Sequence, residues 1–157
     1  MIVREAKSED IPGMVATNAS VQRLHAGAHP GLFKPPSPSA DIKGYFARLL
    51  NDVDHRIYVA AERDRVLGYI FAQIFRRPEN PFRYPLDLVL VHNVAVDPGC
   101  RRQGVGAALM HQVLDAAGRE GIQRIELDMW SFNDVARAFF AEQGFVVFNE
   151  RMVRELV

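Results

Sequence analysis

The sequence predicts one α/β domain with the element order β-α-α-β-β-β-α-β-α-β. Short runs rich in β-branched and aromatic residues alternate with segments of helical periodicity. One nearly continuous apolar run lies past the middle of the chain, as expected of a strand covered on both faces. A chain of 157 residues suits a single hydrophobic core, so residues 1–157 are expected to form one domain.

The first half of the chain is predicted to form a strand, two helices and a hairpin. The strand covers 2–6, and the first helix follows to about His25. Residues 25–39 contain four prolines and two glycines without periodicity, which predicts a long loop of the kind that often carries function. Apolar residues at helical spacing predict a second helix over 39–50, and two β-rich runs around a polar turn predict a hairpin over 56–75.

The second half is predicted to alternate strands with helices. Its elements are a Pro-rich loop (76–85), an apolar strand (86–96), a helix (104–120) closed by Gly121, an alternating strand (122–130), a helix from Asp134 that Gly144 ends, and a C-terminal strand (145–156). The strand 86–96 is unusual, because the polar pair His92-Asn93 interrupts it.

Composition and charge exclude several classes of protein. Lys and Arg together number 19, as do Asp and Glu, so no overall field favours nucleic acid or an anionic membrane. The single cysteine, Cys100, excludes an internal disulfide and a cysteine-rich zinc site, and no metal is expected. The N-terminus does not resemble a signal peptide, and no apolar run approaches the ~20 residues of a membrane span. We therefore expect a cytoplasmic protein without nucleic-acid or membrane partners.

The segment RRQGVG (101–106) lies where the apolar strand gives way to a helix. The first turn of a helix has about four backbone N–H groups without intrahelical partners, and the helix dipole adds roughly half a positive charge there. Glycines let the backbone approach a phosphate closely, and Arg101 and Arg102 add charge. The segment therefore indicates a pyrophosphate site. The alternative is a tight turn with solvated arginines.

Two common phosphate motifs do not fit this segment. A P-loop needs Gly-Lys-Ser/Thr, which the sequence lacks. A dinucleotide fingerprint needs a third glycine, where Leu109 stands, and a position directly after the first strand. Glu126 lies at the spacing of a ribose-binding acid, but the missing glycine and the preceding arginines argue against a nucleotide-dependent oxidoreductase.

The pattern Arg101-x-x-Gly104-x-Gly106 resembles the R/Q-x-x-G-x-G/A acetyl-CoA motif of the GCN5-related N-acetyltransferase (GNAT) superfamily. The resemblance extends upstream through VHNVAVDP and downstream through IELDMWSFNDVARAFFAEQGF, and covers roughly residues 57–148. It implies a mixed central sheet with helices on both faces, in the element order given above. It also implies acetyl-CoA as co-substrate.

The resemblance assigns roles to individual residues. Backbone amides from Arg102 to Gly106 would hold the pyrophosphate, and the strand Asn93–Val96 would pair with the pantetheine arm as an added strand does. Free amides in this strand would polarise the thioester carbonyl. Asn133 is similar to a cofactor-contacting asparagine and is equally suited to cap the next helix. The implied cofactor-binding set is Val94, Ala95, Val96, Arg101, Arg102, Gln103, Gly104, Val105, Gly106, Asn133 and Phe140.

The family often protonates the leaving thiolate from a tyrosine in the motif A-x-x-F-Y-x-x-x-G-F. The matching stretch, 136–145, has Phe140 at that position, and a phenyl ring cannot donate a proton. Three alternatives stay open. Another donor replaces the tyrosine (a water, Ser131 as a weak candidate, or a tyrosine from elsewhere), the thiolate, with a pKa near ~8.5, leaves unassisted, or the protein does not catalyse.

His92 is the leading candidate for the general base that takes a proton from the acceptor amine. An imidazole with a pKa of ~6.5 suits proton removal near neutral pH. The alternative is a packed histidine bonded to a neighbouring strand. Glu62 and Asp87 are weaker candidates.

Two functional hypotheses follow from the sequence. The first is an N-acetyltransferase that moves an acetyl group from acetyl-CoA directly to a primary amine of a small molecule or peptide. The second, motivated by Phe140, is a catalytically weak acyl-CoA-binding module. The loops 25–39 and 76–86 are expected to form the acceptor walls, although they do not select a class of amine. Dimers are common in the family, so a homodimer is one state that the resemblance allows.

Overall fold

The computed structural model of the protein describes residues 1–37 and 40–156. Pro38 and Ser39, where the predicted loop ends and the second helix was expected to start, lie outside the described residues, as does Val157. The helices and strands are β1 (Ile2–Glu5), α1 (Ile11–Ala28), α2 (Ala40–Leu50), β2 (His55–Glu62), β3 (Arg65–Arg77), β4 (Leu86–Val96), α3 (Val105–Arg119), β5 (Ile125–Leu127) and α4 (Asp134–Glu142). Short 3₁₀ turns cover Ser8–Asp10 and Pro98–Cys100.

The five strands form one mixed sheet in the order β1-β2-β3-β4-β5. The first four strands are antiparallel to their neighbours, and β5 alone runs parallel to β4. A parallel neighbour requires a crossover connection, and α3 supplies it. The structure thus confirms the predicted mixed sheet.

Helices cover both faces of this sheet, as predicted. On one face, Met14 of α1 and Phe46 of α2 pack with Tyr69 and Phe71 of β3. On the other face, Leu109 and its neighbours on α3 pack with strand residues that point the opposite way. Strand side chains alternate between faces, so β3 contributes to both layers and reads as a continuous apolar run.

Two elements differ in length from their predicted bounds. Helix α1 continues to Ala28, beyond the expected end near His25. Strand β5 covers Ile125–Leu127 and not 122–130, because Ile122 belongs to the exit of α3. The Ile122 N–H donates to the Ala117 carbonyl at 2.9 Å. The residue before it, Gly121, has a φ of +72° and ends the helix.

The predicted C-terminal strand is wrong for the described residues. Segment 145–156 has strand-like sequence, but within 1–37 and 40–156 no backbone ladder pairs with it. A β-branched, aromatic sequence needs a neighbouring strand before it becomes a strand, and local pattern does not report whether that neighbour exists. The observed order is therefore β-α-α-β-β-β-α-β-α.

No helix in residues 1–37 and 40–156 has the length and apolar character that crossing a membrane would require.

Candidate functional site

A rigid turn connects β4 to α3. The Asp97 carboxylate accepts hydrogen bonds from the Gly99 N–H at 2.8 Å and from the Arg65 guanidinium at 2.7 Å. Its main-chain carbonyl accepts from the Cys100 N–H at 2.8 Å. The hydrogen bond from Arg65, together with that from Gly99, holds the pKa of Asp97 below its usual range. The turn is thus fixed by a charged group that stays ionised at neutral pH.

Helix α3 begins at an open N-terminus. Gly104 is its N-cap in the left-handed region (φ +79°, ψ 0°), where a side chain is disfavoured. The first intrahelical hydrogen bond runs from the Ala108 N–H to the Gly104 carbonyl at 2.9 Å, so the N–H groups of 105–107 precede the ladder. As glycine, the cap has no side chain to accept from them. These are the N–H groups that the predicted anion site would use.

Arg101 and Arg102 flank this N-terminus and are exposed. Arg102 itself has a positive φ of 62°, uncommon for a residue with a side chain. The Arg101 guanidinium donates to Ser20 Oγ of α1 at 3.2 Å, and the Gln103 side-chain amide donates to the Gly99 carbonyl at 3.1 Å. The cationic groups of the segment are therefore gathered at the start of α3, within reach of α1.

Gly106 has a different role from Gly104. A Cβ at Gly106 would lie 3.2 Å from two ring atoms of Phe139 on α4, whereas a Cβ at Gly104 would meet nothing within 4 Å. The first glycine is required by backbone conformation, and the second gives Phe139 room to pack against the start of α3. This contact brings α4, with Asn133 and Phe140, beside the predicted pyrophosphate site.

Within the residues that the structure describes, the C-terminal half of β4 has one edge without a paired strand. On one side it pairs with β3 through Asn93–Val96, but on the other side β5 pairs only with Val89–Val91. Because β5 ends at Leu127, the strand stretch 92–96 is left open on that side. An open strand edge beside a helix N-terminus is what an extended ligand arm with a pyrophosphate group requires.

A β-bulge at His92 interrupts the pairing of β4 with β3. Asn93 pairs with Phe71 and Val91 with Ala72, so His92 is the extra residue. Its ring stacks on Phe71 with centroids 4.7 Å apart. The Nε2 atom lies 2.9 Å from the Gln73 side-chain oxygen, and with that oxygen as acceptor Nε2 carries the proton and Nδ1 keeps a free lone pair.

Burial and the nearby charge of His55 lower the pKa of His92, and Asp128 opposes them by raising it. The imidazole is thus neutral at neutral pH, which a proton acceptor requires. His92 lies on β4, and Asp128 directly follows β5, the strand that pairs with β4 up to Val91. The Oδ1 atom of Asn93, next to the bulge, is buried without a protein hydrogen-bond partner in the described part of the chain.

Asn133 caps α4, as one of its two predicted roles requires. Its side-chain oxygen accepts from the Ala136 N–H at 3.0 Å. Phe140, on the next turns of α4, is partly buried between Phe139 and Phe145. Ser131 is exposed just before the cap, and its carbonyl accepts from Arg137 at 3.4 Å.

The tyrosines offer poor replacements for a proton donor at Phe140. Tyr69 is buried, and its hydroxyl donates to Asn18 at 2.9 Å, with burial raising its pKa well above the usual range. Burial also raises the pKa of Tyr58, which packs on the α3 face. Tyr45 and Tyr84 are exposed on α2 and on the loop between β3 and β4.

The structure separates the weaker base candidates from His92. Asp87 lies at the start of β4, five residues before His92, a separation of roughly 17 Å along an extended strand. Glu62 is exposed at the tight turn between β2 and β3. Of the three candidates, only His92 lies at the open edge of β4.

An aromatic cluster that sequence reasoning missed joins α1 to the segment after β5. Its members are His25, His29, Phe33, Trp130 and Phe132, with ring centroids 4.9–6.4 Å apart. Burial lowers the pKa of His25. Helix α1 therefore reaches Arg101 through Ser20 and the loop after β5 through His25 and His29. The only signal in the sequence was the density of aromatic residues in two distant loops.

Comparison with known proteins gives the family. The chain matches the model of the acetyltransferase (GNAT) family over residues 18–145. It is 35% identical over 69 residues to the [ribosomal protein bS18]-alanine N-acetyltransferase of Escherichia coli, a match that covers 44% of this chain and 45% of that one. It is 36% identical over 84 residues to the L-2,4-diaminobutyric acid acetyltransferase of Nocardia farcinica, covering 53% and 40%. The chain thus spans less than half the length of these two relatives.

Among solved structures, a tetramutant of the BH1408 protein from Bacillus halodurans superposes with a TM-score of 0.92, over 99% of this chain and 100% of that one. At 21% sequence identity, this likeness supports the fold alone. The family model, in contrast, matches most of the chain and includes the turn, the start of α3 and α4. The protein therefore belongs to the GNAT acetyltransferase family.

Proposed function

We propose that the protein is an N-acetyltransferase that moves an acetyl group from acetyl-CoA directly to a primary amine of a small molecule or peptide. One observation carries the proposal: the uncapped N-terminus of α3 adjoins the free edge of β4. Together they offer a continuous surface for a pyrophosphate and an extended arm. The GNAT family membership supports the same donor.

The residues present fit acetyl-CoA. The N–H groups at the start of α3 would bind the pyrophosphate, with Arg101 and Arg102 neutralising its charge. The open edge of Val94–Val96 would hydrogen-bond the pantetheine arm, as an added strand would. When bound, acetyl-CoA supplies the thioester carbon that the amine attacks.

His92 would act as the base. An acceptor amine must lose a proton to attack the thioester, and the neutral imidazole at the open edge has a lone pair on Nδ1. Bound acetyl-CoA would supply the acyl carbon, so that a new C–N bond would replace its C–S bond and CoA would leave as the thiolate. Of the two protons that an ammonium loses in becoming an amide nitrogen, the imidazole would accept the first and release it to solvent, and the second would pass from the nitrogen to the imidazole or to water as the C–S bond breaks.

The leaving thiolate has no tyrosine at the Phe140 position to protonate it. A thiol pKa of ~8.5 makes the thiolate a tolerable leaving group, so we propose that it departs unassisted or takes a proton from water. Ser131, being exposed close to the N-cap of α4, is a weaker donor candidate.

The acceptor would approach from the face of the sheet that α1 and α2 cover. His92 stacks on Phe71, which belongs to the core on that face. The aromatic cluster borders the same opening. The two curated relatives act on very different amines, a ribosomal-protein alanine and diaminobutyric acid, so they do not select an acceptor class.

The second candidate function is an acyl-CoA-binding module with little activity. Phe140 favours it, because the position that often supplies a proton in the family has none to give. The two proposals share the cofactor site and differ only in turnover.

Two measurements test these proposals. Calorimetric titration of acetyl-CoA should show binding at micromolar concentrations, and failure to bind would contradict both candidate functions. Release of CoA thiol should then be followed with polyamines, amino acids, aminoglycosides and peptides with free N-termini. Turnover with one of these classes supports the acetyltransferase, whereas binding without release across the panel favours the module.

A further inference from the structure

A cavity of about 440 Å³ lies at the margin of the sheet, where α2 and α3 end. Its walls include Leu49 and Leu50 of α2 and Ala116 and Arg119 of α3, two helices that cover opposite faces of the sheet. A volume of this size is within the usual range for small-molecule sites. Helix α3 has 15 residues, so its C-terminal end lies roughly 20 Å from the anion site at its start. The cavity is therefore separate from the acetyl-CoA site proposed above.

The cavity exists because β1 is shorter than its neighbour β2. Strand β1 pairs with residues 58–61 of β2, and the Ala6 N–H donates to the Ile57 carbonyl at 2.8 Å. Strand β2 begins earlier, at His55, so residues 55 and 56 have no strand on their outer side within the described part of the chain. The ends of α2 and α3 form the walls of the space that β1 leaves there.

Most charged groups on the cavity wall are satisfied by contacts within the chain. The Arg56 guanidinium donates to two main-chain carbonyls at 2.7 and 3.0 Å and to the Glu120 carboxylate at 3.0 Å. Asp52 accepts from the Asp54 N–H at 2.9 Å, and its other carboxylate oxygen lies 3.8 Å from His55 Nε2. These groups do not require a ligand.

Glu5 and Arg119 are different. Both line the cavity and are exposed, and among the described residues neither side chain has a hydrogen-bond or ion-pair partner. Both also act on the same buried side chain. Burial raises the pKa of Tyr58, the charge of Glu5 adds to this rise, and the charges of Arg56 and Arg119 oppose it. One unpaired anion and one unpaired cation therefore lie on the cavity wall near the same tyrosine.

Much of the remaining wall is apolar. Its members are Leu49, Leu50, Ile57, Ala116 and Val53, of which the last is 85% exposed. A zwitterion with an apolar side chain complements this wall. Its carboxylate would pair with Arg119, its ammonium would pair with Glu5, and its side chain would cover apolar surface. A ligand with a single charge would leave one of the two groups unpaired.

His55 connects the cavity to the open edge of β4. Its imidazole lines the cavity, and its Nδ1 atom lies 3.1 Å from the Leu49 carbonyl at the exit of α2. The same ring lies edge-on against Phe71, with centroids 4.9 Å apart, and Phe71 stacks on His92 at 4.7 Å. Because closely packed groups transmit displacements, a ligand against His55 would act on a chain of three rings that ends at His92.

We propose that this cavity is an effector site for a free α-amino acid with an apolar side chain, and that its occupation alters the environment of His92 through His55 and Phe71. The two sites are distinct, and the three rings are the physical connection between them. Binding in the cavity does not depend on the reaction proposed above, whereas its consequence for turnover rests on that proposed function.

Calorimetric titration of the full chain tests binding without any turnover. We expect saturable, sub-millimolar binding of at least one of L-leucine, L-valine and L-methionine. Leucinamide lacks the carboxylate and isocaproate lacks the ammonium, so each should bind at least tenfold more weakly than L-leucine. Failure of all three amino acids to bind would overturn the proposal. Equal binding of L-leucine and its two singly charged analogues would overturn it as well.

Substitutions locate the bound amino acid. Arg119→Gln and Glu5→Gln should each weaken its binding at least tenfold, and both positions are exposed, so the variants should fold. Arg48→Gln is the matched control, because it removes an exposed charge of α2 that does not line the cavity, and it should bind as the wild type does. His92→Gln should also retain binding. Binding that is lost in His92→Gln but kept in Arg119→Gln would overturn the proposal and assign the amino acid to the acceptor site.

The nitrogen resonances of the His92 ring report the coupling. A saturating amino acid should shift them in the wild type and not in Arg119→Gln, while the ring of His111, exposed on α3, should be unaffected in both. Unshifted His92 resonances at saturation would overturn the effector role. Where an acceptor amine turns over, its kcat/KM should change at least twofold with the amino acid in the wild type alone. Absence of all acetyl transfer would contradict the proposed function, and calorimetry and the His92 resonances would still decide on the cavity.

Discussion

Two regions of the molecule differ in how completely they are hydrogen-bonded and packed. One is the junction between β4 and α3, and the other is formed by α4 and segment 145–156. At the junction, the Asp97 carboxylate accepts from the Gly99 N–H and from Arg65, and Val105 at the start of α3 is buried. In the second region, α4 buries no residue fully and the segment after it is exposed. The junction is fixed by local hydrogen bonds, whereas the α4 region is only partly packed.

The difference indicates that the structures of the two regions depend on different interactions. The junction depends on backbone conformation and local charge, so substitutions there should change ligand binding and local strain. The α4 region depends on packing that one chain only partly supplies, so its substitutions should have smaller effects on the isolated fold.

The largest expected effect is on catalysis at the junction. Replacing His92 by Gln keeps a polar side chain of similar size but removes the base. The value of kcat should fall by about 10²–10⁴-fold while the Kd for acetyl-CoA changes by less than threefold, because a positioned base contributes rate and not cofactor binding. Steady-state kinetics and calorimetry measure the two quantities. Unchanged kcat would exclude His92 as the base.

The pH dependence of the rate should follow the same imidazole. Burial lowers the pKa of His92, so the active neutral form increases as pH rises through a value below 6.5, and kcat/KM should rise about tenfold per pH unit below that value. This rise of kcat/KM with pH should be absent in the His92→Gln variant. By linkage, the folded state binds fewer protons at this site between the two pKa values, so stability should also rise with pH there. If kcat/KM of the variant still rises with pH in the same way, the titrating group is the acceptor amine.

Gly104→Ala should be more destabilising than Gly106→Ala. Alanine at φ +79° costs about 1–2 kcal/mol, although the space around the position is open. Acetyl-CoA binding should weaken about tenfold as the amides at the helix start shift, since 1.4 kcal/mol corresponds to tenfold. Urea unfolding and calorimetry provide the readouts. Full stability in this variant would mean that the left-handed cap is not needed.

Asn133→Ala should lower the unfolding free energy by about 1 kcal/mol, because the Ala136 N–H loses its cap acceptor. Asn133→Ser restores a capping oxygen on a shorter side chain and serves as the control. If the serine variant regains stability but binds acetyl-CoA more weakly than the wild type, Asn133 also contacts the cofactor. Equal binding in both would limit its role to the cap.

Gly106→Ala should have the smallest effect and bears most directly on the difference between the regions. The new Cβ would lie 3.2 Å from the Phe139 ring, so α4 must yield by a few tenths of an ångström. Because α4 is loosely packed, we expect a change below about 1 kcal/mol, offset in part by the higher helix propensity of alanine. A loss of 2–3 kcal/mol, typical of overpacking a dense core, would show that α4 is held as tightly as α3.

Features set by a few neighbouring residues could be predicted from the sequence. The Asp97-Pro98-Gly99 turn, the glycine at the start of α3 and the Asn133 cap follow from backbone preferences that each residue carries itself. The mixed sheet was implied by the family resemblance that these residues carry. These are confirmed, while the cofactor contacts and the role of His92 stay predictions.

Features set by distant contacts could not be predicted. The residues around His25 do not predict its contact with Trp130, which lies 105 positions away. The two rings come together only when α1 and β5 have packed in the fold. Segment 145–156 has the sequence of a strand, but its partner is not encoded locally. Strand β5 ends at Leu127 because β4 diverges from it there. The periodicity of neither strand predicts this point.

The bulge at His92 shifts the phase of β4. Val89 and Val91 face the core beneath α3, and so do Val94 and Val96, whereas Ala95 faces α1. In a regular strand, residues 89, 91 and 95 would share one face. The extra residue therefore lets the polar pair occupy the middle of the strand while valines line the α3 side before and after it. Deleting the extra residue would restore regular alternation and leave Val94 and Val96 on the α3 side, so the bulge determines where the polar pair lies and not which face the valines occupy.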